Sequence, residues 1–411
     1  MATPTEALKL VFVSNLYPPY VVGGNEMLCA DVVTALRSRG HSVSVITGRG
    51  TRHEDPDVHG VLEIDLDRKD ESFLGGRRPT WGEAYRRHYF SRISYQATRR
   101  ALSRLRPDVV VVWNLYLASL APLAAARRHG APVVTHVADK WLAWGLAWPV
   151  PPPDAGSRLG ALAFRVAGGL TRPLLRRACR PRPIVAISHF MRNVYVRAGF
   201  APEDVEVSHL GVPTRELGTR TPPVEFKDTP LRLLFVGGLW EGKGPQVAVR
   251  ALGQLARSGI AVQLDLCGEG TPQFVEWLDR IAAEEGVADR VTRHGFVGRE
   301  VVHEFMRSAD ALVFPSIWDE PFAAVPVEAA ARGLPIVATT AGGTPEAIDD
   351  GVHGLLVAPG DPKALADAVA RLANDPGLGR RLGEAAARRT REQFDFDGYV
   401  DRLEALYRRS V

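Results

Sequence analysis

Apolar and polar positions alternate along the chain in a pattern that occurs twice, once in each half. In both copies an apolar run of strand length leads into a glycine pair, and residues with helical spacing follow. The three parts are residues 10–15, 23–24 and 25–39 in the first copy, and residues 231–236, 237–238 and 245–258 in the second. This order predicts two equivalent units, each a β-strand, a glycine loop and an α-helix.

Further short runs rich in Val, Ile and Leu alternate with helical stretches, as is typical of parallel sheets covered on both faces. They comprise residues 41–47, 108–113, 132–136 and 184–188 in the first half, and residues 260–267, 290–294, 311–314 and 335–339 in the second. The predicted fold class is therefore α/β, with two doubly wound parallel-sheet domains that face each other across a cleft. In such sheets ligands bind at the carboxyl ends of the strands, where both glycine loops lie.

A proline-rich stretch separates the two halves and predicts the domain boundaries. We expect a first domain over residues 1–211, a linker over residues 212–230 and a second domain over residues 231–392. Residues 393–411 place apolar side chains at helical spacing. They predict a C-terminal helix that packs back on the first domain.

The composition is that of a globular protein, with 45% hydrophobic and 24% charged residues in a chain of 411. The net charge is +4, and six of the 51 basic residues are lysines, so the other 45 are arginines. These arginines are spread along the chain among Asp and Glu, whereas nucleic-acid-binding proteins cluster their basic residues on one face. We therefore expect no nucleic-acid partner.

The three cysteines, Cys29, Cys179 and Cys267, lie far apart and form no CxxC pair. This usage indicates a reducing compartment, with neither a disulfide framework nor a zinc site. Residues 1–8 are polar and short, and no apolar run reaches the ~18 residues needed to span a bilayer. A cytoplasmic location is the prediction.

Two glutamates eight residues apart flank the start of a predicted helix. Glu320 precedes the helix, Glu328 lies within it, and Gly333 ends it. The N–H groups around residues 322–324 are expected to point out of the helix N-terminus, which favours a bound anion. Both carboxylates can accept hydrogen bonds from sugar hydroxyls. Without their flanking sequence, however, two solvated surface carboxylates would explain them better.

The flanking sequence resembles the retaining glycosyltransferases of family 4, which have the two-domain GT-B fold with two facing Rossmann-like domains. The motifs that carry the resemblance are Glu320-Pro321-Phe322, Glu328-Ala329-Ala330, residues 333–339 and residues 341–346. The resemblance extends over nearly the whole chain. It implies that Glu320 contacts the donor sugar and that Glu328 binds the ribose hydroxyls.

The remaining donor-binding residues are also assigned by this resemblance. They are Pro321, Phe322, Ala323 and Ala324 beside Glu320, and Gly268 and Phe296 in loops that border the nucleotide base. One departure is the pair Ala323-Ala324, because the family usually has Gly-Leu there. The methyl groups of this pair are expected to narrow the approach to the donor.

The second glycine loop, residues 236–244, resembles the phosphate loop of the family, in which an Arg and a Lys neutralise the donor diphosphate. Lys243 matches the Lys, and Gly238 stands where the Arg is usual. The loop is not a nucleotide-hydrolase P-loop, because Gly244 takes the place of the required Ser or Thr. Neither glycine loop spells the dehydrogenase motif G-x-G-x-x-G, so a dinucleotide-dependent dehydrogenase fits no better.

In the first half, Gly23, Gly24 and Asn25 resemble the acceptor-side glycine loop of the family, where Gly24 lets the backbone approach the diphosphate. The segment from His136 to Trp141 ends a predicted strand. The family often has His-Asp followed closely by Trp here.

Aligned on Trp141, the chain keeps the acid as Asp139 and has Ala138 in place of the His. We expect Asp139 to contact acceptor or donor hydroxyls. For His136 two interpretations stay open, a catalytic histidine and a buried structural one.

A basic amphipathic stretch, residues 158–182, follows Trp141, Trp144 and Trp148. Core packing or a lid over the acceptor is one interpretation, and a patch that contacts a membrane surface is the other. The low overall hydrophobicity and the few lysines favour packing or a lid.

The predicted function is transfer of a sugar from a nucleoside-diphosphate sugar to an acceptor hydroxyl, with retention at the anomeric carbon. Catalytic roles are assigned to Lys243, Glu320, Asp139 and, as the less settled member, His136. No metal and no cofactor besides the donor are expected, and UDP, GDP and ADP donors stay open. Two alternatives remain, namely a catalytically silent sugar-nucleotide-binding protein of the same fold, and a sugar-nucleotide epimerase or phosphorylase.

Overall fold

The computed structural model describes residues 6–21, 23–49, 53–64, 81–147, 158–214 and 230–411. The chain divides into two compact units. The first unit comprises Met1–Ser208 and Val400–Val411, and the second unit comprises His209–Tyr399. The division therefore falls a few residues before the predicted linker, of which residues 215–229 lie outside the described residues.

The first unit is built on a seven-stranded sheet in the order β3-β2-β1-β4-β5-β6-β7, with every neighbouring pair parallel. Its strands are β1 (Lys9–Ser14), β2 (Ser42–Gly48), β3 (Val58–Leu62), β4 (Val109–Asn114), β5 (Val133–Val137), β6 (Ile184–Ala186) and β7 (Val205–Val207). Every residue of β4 and β5 is buried. Helices cover both faces of a parallel sheet, which explains these continuous apolar runs.

The helices of the first unit connect these strands. They are α1 (Gly24–Ser38), α2 (Trp81–His88), α3 (Arg92–Leu105), α4 (Ala121–His129), α5 (Trp141–Leu146), α6 (Arg158–Cys179) and α7 (His189–Arg197). Ser188 caps α7 by accepting from the Met191 N–H at 3.0 Å, which satisfies one of the unpaired donors of the first turn.

The second unit has a six-stranded sheet in the order β10-β9-β8-β11-β12-β13, again parallel throughout. Its strands are β8 (Leu231–Val236), β9 (Val262–Cys267), β10 (Val291–Gly295), β11 (Ala311–Phe314), β12 (Ile336–Thr339) and β13 (Leu355–Val357). Its helices are α8 (Pro245–Arg257), α9 (Pro272–Glu284), α10 (Arg299–Ser308), α11 (Ala324–Ala331), α12 (Thr344–Ala347), α13 (Pro362–Asn374) and α14 (Pro376–Gln393).

The last helix, α15 (Phe396–Ser410), begins three residues later than the sequence predicted, because residue 393 still belongs to α14. Its residues from Val400 onwards belong to the first unit. There the ring of Tyr407 is buried and packs edge-on against Phe12 of β1, with 6.2 Å between ring centroids.

The direction of winding reverses between β1 and β4 in the first sheet and between β8 and β11 in the second. At such a switch point the loops that leave the two central strands diverge and open a crevice at their carboxyl ends. Residues 15–21 and 115–120 border this point in the first unit. Residues 237–244 and 315–323 border it in the second.

Gly244 lies where the loops of residues 237–244 and 315–323 come close to each other, so a substitution there tests whether the fold needs this close approach. Its φ is +74°, and an added Cβ would lie 2.0 Å from the carbonyl oxygen of Pro315. Gly259 has nearly the same φ, +78°, but no described atom lies within 4 Å of its added Cβ. We expect Gly259→Ala to lower the free energy of unfolding by about 1–2 kcal/mol, from the left-handed backbone alone. Gly244→Ala should cost at least about 2 kcal/mol more.

Urea unfolding of both variants beside the native protein measures these losses. Equal losses in the two variants would show that the loops do not need their close approach.

Candidate active site

The crevice of the second unit brings together a lysine and a glutamate from different loops. Lys243 ends the short 3₁₀ turn Glu241–Lys243 after β8, and Glu320 lies in the loop after β11. The Lys243 Nζ is 2.8 Å from Glu320 Oε1 and 3.1 Å from Oε2. The structure thus joins two residues that the sequence had singled out separately.

Glu320 is only 3% exposed, and burying a carboxylate is unfavourable unless it is paired and hydrogen-bonded. Besides Lys243, the Ser316 hydroxyl donates to Glu320 Oε1 at 2.5 Å. Thr339 at the end of β12 donates in turn to the carbonyl oxygen of Ser316 at 2.6 Å. The position of this carboxylate is therefore fixed by the loop after β8, the loop after β11 and the end of β12.

The ammonium group of Lys243 also lies over two aromatic rings. Its Nζ is 5.7 Å from the centroid of Phe314 and 5.9 Å from that of Trp318. Such contacts attract a cation to the ring face. They help to hold the ammonium group of Lys243 in place beside Glu320.

Glycines allow the Glu320 loop to pack against the following loop. Gly342 has φ +58°, and an added Cβ would lie 2.2 Å from the Glu320 carbonyl oxygen. The N–H of Gly343 donates to that same oxygen at 2.7 Å. The Gly-Gly pair of the motif at residues 341–346 therefore supports the Glu320 backbone.

At the N-terminus of α11, one of the N–H groups predicted to point outwards, that of Ala324, is already paired. The Ala324 N–H donates to the Phe322 carbonyl at 3.0 Å, and the Val327 N–H donates to the Ala323 carbonyl at 3.1 Å. Pro326 has no N–H. Among the first four residues of this helix, Val325 is thus the one whose N–H these bonds leave available.

The two alanines of the unusual pair differ in position. Ala323 is fully buried, so its methyl group does not line the crevice, whereas Ala324 is partly exposed. The expected narrowing of the donor approach therefore finds no support, because the methyl group of Ala323 is buried and Ala324 is smaller than the Leu that is usual in the family. Pro321 is partly exposed, and the Phe322 ring is buried between His209 and Phe394, with centroid distances of 5.5 and 5.6 Å. Phe322 is thus a packing residue of the second unit.

Glu328 lies on α11 and pairs with an arginine that the sequence did not single out. Arg299 Nη2, at the start of α10, is 3.4 Å from Glu328 Oε1. The Arg299 side chain is 37% exposed and the Glu328 side chain 19%. A second arginine, Arg332, is also near Glu328. Burial and repulsion from Arg307 lower the pKa of Arg332, and the negative charge of Glu328 opposes this change.

Two loops beside β8 and β9 touch through their backbones. Gly268 has φ +148°, and its added Cβ would lie 1.9 Å from the carbonyl oxygen of Gly237. Gly238 is exposed, and its own Cβ would approach the Trp240 ring at 3.2 Å. Phe296 follows β10 and is 72% exposed, an unusual setting for a Phe ring.

In the first unit the two glycines at the start of α1 have open surroundings among the described residues. Gly23 and Gly24 are exposed, and no described atom lies within 4 Å of a Cβ added at either position. The Gly23 N–H donates to the carboxylate of Glu26 at 3.0 Å, a capping interaction at the start of α1. Asn25 accepts from the Trp113 indole N–H at 2.9 Å through its Oδ1.

Asp139 is partly exposed, but its carboxyl group has an environment that disfavours charge. Burial raises the pKa of Asp139 to about 6, and repulsion from Glu26 adds to the rise. The N–H of Trp141 opposes it by donating to Asp139 Oδ1 at 2.7 Å. Trp141 itself is buried, which fits a residue that positions Asp139. Raised carboxyl pKa values of this kind are common at functional sites.

His136 is a buried histidine, which is the structural one of the two interpretations. Its ring stacks on Trp113 at 4.4 Å, and its Nε2 is 3.0 Å from the hydroxyl of Tyr407. Burial lowers the pKa of His136 to about 3. An imidazole that is neutral and inaccessible cannot exchange protons with a ligand, so we assign His136 a packing role.

The raised pKa of Asp139 predicts a stability gain for Asp139→Asn. The carboxyl group titrates at about 6 in the folded protein and at 3.8 ordinarily, so ionisation destabilises the folded state as the pH rises between these values. Asparagine removes this cost and can still accept from the Trp141 N–H. We expect the variant to exceed the native protein by about 1.5 kcal/mol at pH 5 and about 3 kcal/mol at pH 8.

Urea unfolding at several pH values measures the difference. The control variant is Glu203→Gln, which changes an exposed carboxylate and should show no pH-dependent gain in stability. Asp108 is less suitable as a control position, because its carboxylate accepts a hydrogen bond from the Lys9 N–H. A pH-independent effect of Asp139→Asn would contradict the assigned pKa.

Two family models match the chain. The model described as Glycosyltransferase Family 4 covers residues 22–216, and the model described as Glycosyl transferases group 1 covers residues 220–389. Among curated proteins, the glycogen synthase of Mycobacterium tuberculosis is 30% identical over 374 residues, which are 86% of this chain and 83% of that protein. The D-inositol 3-phosphate glycosyltransferase of Streptomyces griseus is 40% identical over 132 residues, 30% of this chain and 28% of that one.

Solved structures share the fold at lower identity. Sucrose-phosphate synthase from Thermosynechococcus elongatus has a TM-score of 0.73 at 20% identity, over 97% of this chain and 98% of that one. Anabaena HepE in complex with UDP-glucose has a TM-score of 0.69 at 18% identity, over 97% and 99%. From the matched models, the similar relatives and the two parallel-sheet units, this chain belongs to glycosyltransferase family 4, a family of sugar-transfer enzymes with the GT-B fold.

Proposed function

We propose that this glycosyltransferase takes its sugar from a nucleoside-diphosphate donor and transfers it to an acceptor hydroxyl without a metal ion and with retention at the anomeric carbon. The observation that carries the proposal is the Lys243–Glu320 pair at the switch point of the second sheet. There a cation lies beside a hydrogen-bond acceptor, as the leaving diphosphate and the sugar hydroxyls of a bound donor require.

The donor class is supported by likeness to HepE, whose structures hold UDP and UDP-glucose. In our proposal Glu328 binds the ribose hydroxyls, because its side chain keeps exposed surface and its carboxylate can accept hydrogen bonds. The exposed ring of Phe296 offers an apolar surface beside the base. UDP-sugars are accordingly the first donors to test, with GDP- and ADP-sugars next.

Positive charge for the leaving diphosphate comes in our proposal from Lys243 and from the Val325 N–H at the start of α11. Groups that are already oriented towards a developing charge stabilise it at little reorganisation cost. Lys243 meets this condition because Phe314, Trp318 and Glu320 hold its ammonium group. A metal ion is then not required for this step. With Gly238 in place of an arginine, the donor is held by fewer charged contacts.

Retention follows in the proposal from attack on the face that the diphosphate leaves, so the enzyme supplies no nucleophile. The position of Glu320 supports this, because its oxygens already accept from Lys243 and Ser316. A carboxylate held in this way is suited to bind a sugar hydroxyl, whereas a nucleophile needs a free oxygen directed at the anomeric carbon. On the first unit, Asp139 is proposed to bind hydroxyl groups of the acceptor or the donor.

The two glutamates should have separable roles. Glu328→Gln is expected to raise the Kd for the nucleotide about tenfold, because the ribose hydroxyls lose a charged acceptor. Glu320→Gln should leave the Kd within about threefold and lower the transfer rate about 100-fold or more. Calorimetric titration with UDP-, GDP- and ADP-glucose and a transfer assay measure these effects. Glu300→Gln, an exposed change on α10 beside Arg299, is the matched control and should alter neither quantity.

Failure of all three donors to bind native protein would refute the donor class. Binding without transfer or hydrolysis in any acceptor screen would instead identify a catalytically silent member of the fold. A product without a new glycosidic bond would indicate an epimerase or a phosphorylase.

Retention and metal independence have their own test. NMR of the product formed from an α-linked donor should show an α-linkage, and the transfer rate should stay within about twofold after treatment with EDTA. A β-linked product would refute retention. A loss of activity that Mg²⁺ or Mn²⁺ restores would refute metal independence.

A further inference from the structure

Within the described part of the chain, the longest helix of the first unit, α6 (Arg158–Cys179), packs against other helices along one side. Its inner side contacts α2, α4 and α5. Phe164 is buried and its ring lies 5.5 Å from that of Tyr89, and an added Cβ at Gly168 would lie 2.5 Å from the Tyr89 hydroxyl. The Thr171 hydroxyl is 2.7 Å from that of Tyr85. These contacts fix which side of α6 faces outwards.

The outward side of α6 is apolar. Its large side chains are between 53% and 80% exposed, and they recur three or four residues apart over four turns. We call them the α6 stripe, which consists of Leu159, Leu162, Val166, Leu170 and Leu174. Other exposed large apolar residues of the described chain do not form such a row on one helix. A contiguous exposed patch of this kind indicates an interaction surface.

The charged residues of α6 and of the segments that flank it in the sequence are basic. Between Asp154 and Glu203 the sequence contains no acidic residue but nine arginines. Helical spacing puts Arg165, Arg172 and Arg176 together along one border of the stripe, and Arg177 near its C-terminal end. The outward side of α6 therefore combines exposed apolar side chains with basic side chains of the same helix.

We propose that α6 is a membrane-docking element that lies in the interface of an anionic lipid bilayer. Leucine and valine side chains of the stripe would enter the boundary between headgroups and acyl chains, while the arginines bind lipid phosphates. The helix lies on the bilayer and does not cross it. Among the described residues no helix is long and apolar enough to span a membrane.

The positive charge beside the α6 stripe favours an anionic bilayer over a second copy of the chain as its binding partner. Two copies that meet through the α6 stripe would bring their arginine borders together, and like charges at close range repel. An anionic lipid surface neutralises the same arginines and accepts the apolar side chains. The inference is independent of the donor chemistry, because none of the residues assigned to the donor or the acceptor lies on α6.

Vesicle sedimentation tests the proposal. Native protein should bind vesicles of equal parts phosphatidylglycerol and phosphatidylcholine, and should bind pure phosphatidylcholine at least about tenfold more weakly. Leu162→Glu/Leu170→Glu should lower the partition coefficient on the anionic vesicles at least about tenfold. Ile93→Glu/Val352→Glu changes two exposed apolar residues elsewhere and should bind as the native protein does.

The charge contribution has a separate pair of variants. Arg165→Gln/Arg177→Gln should weaken binding to the anionic vesicles about fivefold or more, whereas Arg92→Gln/Arg100→Gln, with exposed arginines of α3, should have less than a twofold effect. Raising the salt concentration should weaken native binding, because exposed charges are screened.

Several results would overturn the inference. Native protein that ignores the anionic vesicles, or a double-glutamate variant that binds as well as native, would do so. A native dimer in sedimentation velocity that this variant dissociates, without vesicle binding, would make the stripe a protein interface. Should the variant fail to fold, hydrogen exchange of native protein on vesicles decides: protection confined to α6 supports docking, and its absence from α6 refutes it.

Discussion

The bond between Lys243 and Glu320 sets the terms for the rest of the second unit. The buried carboxylate of Glu320 needs a positively charged partner. That partner, Lys243, lies on the loop that follows the neighbouring strand β8. The pairing therefore depends on the sheet order that makes β8 and β11 adjacent. It also depends on glycines where the backbone has no room for a side chain, at Gly244 and Gly342.

Hydrophobic periodicity was sufficient to predict most of the fold, because central strands and their covering helices bury long apolar runs. The strand at residues 311–314 agrees with β11 at both ends, and the helix at residues 245–258 differs from α8 by one residue. The edge strands β3, β7 and β13 escaped prediction. They are short and only partly buried, so they leave little apolar pattern.

The sequence predicted which residues form the site, but it predicted few of the contacts between them. Motif resemblance pointed to Lys243 and Glu320, but the sequence held no signal that Ser316 would donate to Glu320, since hydroxyl residues are common in loops. The burial of His136 depends on Tyr407, which is distant in sequence and reaches it through α15. The exposure of the α6 stripe likewise followed only from packing, because an amphipathic pattern shows two faces without showing which one is covered.

The three cysteines have a consequence for following the protein's stability. Cys29, Cys179 and Cys267 are all free and buried, and burial raises the pKa of each thiol, to about 12 for Cys179 and about 11 for Cys267. A thiol-specific reagent, which needs an accessible thiolate, can therefore react only when the surrounding structure opens. Two of the thiols lie in the first unit and one in the second. Mass spectrometry of labelled peptides would thus time the opening of each unit separately, with no engineered probe.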